Sequence, residues 1–94
     1  MKQISQDDLE TMVVCTVRYA LGRRSYVVGD AAGIVRWSWD DLRPGIRGVV
    51  LRDVDEAIGR AEGSASTVGM QMDHDVWVLL RSWMREKIRQ EEGP

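Results

Sequence analysis

The sequence predicts an all-α protein: a small bundle of about four helices, one domain over residues 1–94, arranged around a central helix at residues 42–62. Two observations carry that expectation. Apolar residues recur at steps of three and four in each long stretch, the spacing of one face of an α-helix. The one segment that favours extended structure, Ser25-Tyr26-Val27-Val28, finds no partner strand elsewhere in the chain, and a lone strand is not stable.

In order along the chain, Met1 to Ile4 is expected to be a frayed arm. Ser5 is placed to cap the first helix, with Asp8 three residues on closing a capping box and Asp7, Asp8 and Glu10 favouring the positive end of the helix dipole. Leu9, Met12, Val13, Thr16, Val17, Ala20 and Leu21 form its buried stripe, and Gly22 before Arg23 and Arg24 reads as its stop. Residues 25–37 are read as a second helix capped near Ser25, with Val27, Ala31, Ile34 and Val35 facing inward and Val28 and Ala32 beside them. Gly29 and Gly33 weaken that helix and, four apart, would leave a flat groove where another helix approaches. The capping-box spacing of Ser38 and Asp41 predicts a helical turn beginning at Trp39.

The central helix carries the clearest stripe: Leu42, Ile46, Val49, Val50, Val54, Ala57, Ile58 and Ala61. Its opposite face sets Glu56 between Arg52 and Arg60 at four-residue spacing. Pro44 suits only its first turn, and Gly48, beside the stripe, is expected to mark close packing with a neighbour. Residues 63–69, rich in Gly, Ser and Thr, form the loop. The last helix is expected to start at Asp73 or Asp75, to bury Val76, Trp77, Leu80, Trp83, Met84 and Ile88, and to end before a polar tail at residues 90–94.

A chain of 94 residues buries only roughly 60–68% of the surface its unfolded form exposes, so its stability is marginal and association with another chain would help. Fifteen acidic and thirteen basic residues give a net charge of −2, which is not the strongly basic body of a general nucleic-acid binder. The single cysteine, Cys15, forms no internal disulfide and, among apolar neighbours, reads as an inert thiol. No signal peptide and no run long enough to span a bilayer is evident, so the expected location is cytoplasmic.

No catalytic set is recognisable, and no cofactor is expected. Asp53, Glu56, Asp73 and Asp75 would be the ligands of a small metal-dependent enzyme, but their spacing matches no calcium loop, zinc helix or di-iron pattern. Capping and pairing with Arg52 and Arg60 account for the same residues. His74, between two aspartates, reads as an exposed residue at a helix start. Arg18, Tyr19, Arg23, Arg24, Tyr26, Arg36, Trp39, Arg43 and Arg47, with Trp37 beside them, are the candidate binding surface. If the first helices fold back on the third, charge and stacking would combine there, as RNA, single-stranded DNA or an acidic protein requires. The competing expectation, that these arginines pair internally with Asp30, Asp40 and Asp41, remains open. Val14, Cys15, Val78 and Leu79 lie off the core stripes and are secondary interface candidates.

The segments Arg18-Tyr19-Ala20-Leu21-Gly22-Arg23-Arg24-Ser25-Tyr26-Val27-Val28, Arg52-Asp53-Val54-Asp55-Glu56-Ala57-Ile58 and Met72-Asp73-His74-Asp75-Val76-Trp77 resemble small bacteriophage and prophage accessory proteins. The resemblance implies a non-enzymatic protein of an infected or lysogenic bacterium. Such a protein would bind a host protein or defence ribonucleoprotein and block it sterically, as anti-CRISPR proteins do. The alternative is a small nucleic-acid-binding regulator in which Arg43, Arg47 and Arg52 lie on a recognition helix. A homo-oligomer is compatible with either.

Overall fold

In the computed structural model, which describes residues 4–23, 26–64 and 68–93 (side chains of Tyr26, Gly63 and Ser64 excepted), the chain is a four-helix bundle with no strand among the described residues. The expected arm at Met1–Gln3, the cap at Ser25 and the loop centre at 65–67 lie outside them. Helix α1 (Gln6–Ala20) begins as its sequence dictates: Ser5 is extended (φ −69°, ψ 159°) and its hydroxyl accepts the Asp8 N–H at 3.1 Å. It stops at Gly22, whose φ of +74° is left-handed and open to glycine at little cost. The Arg23 N–H then turns back to the Ala20 carbonyl at 3.0 Å.

Residues of the ambiguous stretch form helix α2 (Tyr26–Ser38). Val28, Ala31, Ala32 and Val35, at helical spacing, are all buried, and a strand would have sent half of them to solvent. A 3-10 turn, Trp39–Asp41, follows directly. The capping box expected at Ser38 does not form. Ser38 keeps helical backbone angles (φ −93°, ψ −10°), whereas a capping side chain needs an extended residue to reach forward. Its hydroxyl is instead buried without a hydrogen-bond partner.

Helix α3 runs Pro44–Ser64, two residues later at each end than expected, with the proline at its first position. Leu42 is extended (φ −89°, ψ 135°) and buried, which separates the turn from the helix. Helix α4, Val68–Glu92, is the longest, and both its ends correct the sequence reading. It starts before Asp73: Met70 and Trp77 line one cavity with Ala57 and Ala61 of α3, and α4 packs along α3, so tertiary packing supplies what the missing N-terminal acids do not. It runs through the expected tail, because Glu91 is held by Arg47 and by the Trp39 indole, and Gln90 by Glu86.

Round the bundle, α1 packs on α2 and α3, and α4 packs on the same two helices, with α3 and α4 in longest contact. Val13, Val17, Val28, Val35, Trp39, Val50, Val54, Leu80 and Met84 fill the middle. The body is flattened, 41 × 37 × 18 Å. Its accessible surface of 6083 Å² exceeds the about 5,500 Å² usual for a monomer of this mass. No described helix is long and apolar enough to cross a membrane.

Candidate interaction surfaces

The expected arginine and aromatic patch is dispersed rather than assembled. Arg43 is a structural clamp. Its backbone N–H and its Nε both donate to the carboxylate of Glu10 at 2.9 Å, Nη2 donates to the same carboxylate, and Nη2 also reaches Asp7 at 2.7 Å. Glu10 is 3% exposed, so it does not serve the α1 dipole as expected. It binds the residue that opens α3, where the Arg43 carbonyl accepts from Ile46 and Arg47. A carboxylate at that position favours the positive helix end and satisfies an N–H that an intrahelical capping box would otherwise take. The Arg43 guanidinium, helped by the Arg43 N–H and Gln6, outweighs burial and holds the Glu10 carboxyl down at about 2. The same contacts raise Arg43 above its usual range.

Arg47 and Trp39 are also internal. Trp39 is 1% exposed; it meets Trp83 edge-on, 5.6 Å between ring centres, and its indole donates to Glu91 at 3.3 Å. The Arg47 guanidinium lies 5.0 Å above the Trp39 ring, donates to the Trp39 carbonyl at 2.9 and 3.1 Å, and pairs with Glu91. Arg18 ties α1 to α3 through Asp53 at 2.9 Å. The arginines therefore pair internally, but with Glu10, Asp53 and Glu91 rather than with the expected Asp30, Asp40 and Asp41. Tyr19 remains exposed, covered by the Arg23 guanidinium at 4.5 Å, and forms a separate corner. Arg36 lies 6.0 Å from the Trp83 ring, which Lys87 approaches from 5.6 Å. Arg24 and the side chain of Tyr26 lie outside the described residues.

The acids are likewise spread. Asp53 serves Arg18, Glu56 pairs with Arg60 at 3.1 Å, Asp73 is buried, and Asp75 accepts from Gln71 at 3.1 Å. Among the described residues no three His, Cys, Asp or Glu side chains gather in a way that would hold an ion. His74 is not exposed as expected. It lies within α4, its ring between the Glu62 and Asp75 carboxylates at 3.3 Å each.

Three surfaces remain outward. Val14 and the exposed Cys15 line an open groove of about 490 Å³ between α1 and α3, floored by Ile46 and Val49. On α2, Trp37 is 74% exposed, so of the two tryptophans flanking Ser38 it is the outer one. On α4, Val68, Met72 and Leu79 are 79%, 63% and 64% exposed. With Asp75, Ser82 and Glu86 they mark a single line at steps of four and three, which is one helix face. Val78 is half-buried against the core. Leu79 was legible as lying off the stripe; Val68 and Met72 were not, because a helix start at Asp73 leaves them in the loop.

No protein-family model, no curated protein and no solved structure matches this chain.

Proposed function

We propose that this chain is a non-catalytic binding protein that acts by covering a partner's surface, and that the outward face of α4 is the surface it uses. The observation that carries the reading is the line Val68, Met72 and Leu79, three large apolar side chains held in water on a helix whose opposite face is anchored by Trp77, Leu80 and Met84. The line extends about 16 Å along the helix axis. Asp75 lies within the line, between Met72 and Leu79, and Glu86 lies beyond its end; these acids suit a basic protein surface and repel phosphate. The phage-like segments make a host protein or the protein component of a defence ribonucleoprotein the class of partner, blocked sterically.

Capture of partners from bacterial lysate, with and without nuclease, tests this with wild type beside Met72→Glu and Leu79→Asp. Both side chains are exposed, so the variants fold. The expected result is a protein that co-purifies in the presence of nuclease and is lost with either variant. Nucleic acid retained in place of protein, or equal capture by all three chains, overturns the reading.

A further inference from the structure

The outward face of α4 carries a sulfur in its middle. Met72 sits one turn after Val68 and two turns before Leu79 on that face, and it is 63% exposed. The other methionines among the described residues are covered. Met84 is fully buried, Met12 is half-buried against the core, and Met70 is half-buried in the wall of the cavity that α3 and α4 share with the end of α1. Met1 lies outside the described residues. A thioether is oxidised only where the oxidant can reach its sulfur, so exposure separates Met72 from the other three. Val68 and Leu79 are inert to the same reagents, which makes Met72 the one side chain of the apolar line with a reactive atom.

A peroxide supplies the oxygen. The Met72 sulfur lone pair attacks one peroxide oxygen, the O–O bond breaks, and the other oxygen leaves as water once protonated. The sulfide is thereby oxidised by two electrons to the sulfoxide, and hydrogen peroxide is reduced to water. Reversal takes two thiols, which become a disulfide while the sulfoxide oxygen leaves as water. The sulfoxide puts a polar group where an apolar, adaptable side chain stood. At the centre of an apolar contact line, such a group must be desolvated without a partner, which opposes binding. Because Met72 is exposed, the change leaves the core in place. We propose that Met72 is a reversible oxidation site, through which peroxide turns the outward face of α4 from apolar to polar and closes it to a partner without unfolding the chain. The consequence rests on the reading of that face as the binding surface; the chemistry does not.

Limiting hydrogen peroxide tests this, followed by a thiol reductant that reopens any disulfide at the exposed Cys15 and leaves sulfoxides untouched. Peptide mass spectrometry then locates the added oxygen. The expected result is a Met72 sulfoxide that forms several-fold faster than those at Met12, Met70 and Met84 in the native chain. The rates converge in urea, and helical circular dichroism is unchanged by oxidation of Met72. Retention on a hydrophobic-interaction column falls on oxidation and returns with methionine sulfoxide reductases of both stereospecificities. Met72→Gln, polar and of similar length, elutes early without peroxide, and Met72→Leu, which has no sulfur, shows no shift with it. In the capture experiment above, oxidised wild type loses the protein that the untreated chain retains. Equal native rates at these methionines, or a retention shift that persists in Met72→Leu, overturns the proposal. So does undiminished capture by a chain whose Met72 is fully oxidised. An untreated chain that captures nothing removes the proposed function alone, and the peptide map and retention then decide the oxidation site without a partner.

Discussion

Replacing Gly48 and Gly59 with alanine is expected to stabilise the fold. Both lie inside α3, both are exposed, and an added methyl at either would find nothing within 4 Å. Gly48 was expected to mark a tight helix contact; the structure shows open space beside it, bordered by Ile88 and Glu91. With no clash to oppose it, the change reduces to helix propensity, about 0.8–1.0 kcal/mol per site. The two sites are about 16 Å apart along the axis and share no partner, so their effects add to roughly 1.6–2 kcal/mol. For a domain of this size that raises the thermal midpoint by roughly 7–15 °C. In urea, with a slope of about 1–1.5 kcal/mol/M, the midpoint rises by more than about 1 M. Denaturation followed by circular dichroism, at concentrations low enough to exclude association, gives the answer. An unchanged or lowered midpoint at constant slope would show that the glycines are packed against something, and the reasoning from open space would fail.

Glu10→Gln should alter the acid limb of stability. The folded Glu10 carboxyl is held at about 2, below its ordinary 4.5, so its contribution is complete above 4.5 and lost as the pH falls towards 2. The variant is less stable at neutral pH, and its deficit shrinks across that window. Urea midpoints at several pH values check this, and parallel curves for the two proteins would contradict it. Met84→Ala removes a fully buried side chain and should cost about 2–5 kcal/mol, read from the same transition; a loss below 1 kcal/mol would mean that the α3–α4 core is not packed as described. Trp37 is open and Trp39 closed, so Trp37→Phe should remove most iodide-quenchable fluorescence. Persistence of that quenching would put another indole at the surface. Cys15, exposed on α1, should react with a thiol reagent in the native state to the same extent as after unfolding.

What was legible in the sequence was local. The Ser5 cap, the Gly22 stop, the helical rather than extended α2, the first-turn place of Pro44 and the buried stripes all depend on residues within about two helical turns of each other. Such relations survive whatever the rest of the chain does. The ends of α4 were misplaced because they are held from outside, at one end by packing along α3 and at the other by Arg47 and Trp39.

The identity of the interacting side chains required the tertiary structure. Arg43 and Arg47 look like Arg36 in the sequence, yet the first two are spent on Glu10 and Glu91, while Arg36 stays exposed beside the Trp83 ring. Trp37 and Trp39, separated by one serine, divide into a surface residue and a core residue because the 3-10 turn carries the second under α4. The partners that decide these fates lie 33 residues away for Arg43 and Glu10 and 52 for Trp39 and Glu91. Periodicity says which face of a helix is apolar. Which neighbour meets that face, and which outward residues are left for another molecule, is settled only when distant helices are brought side by side.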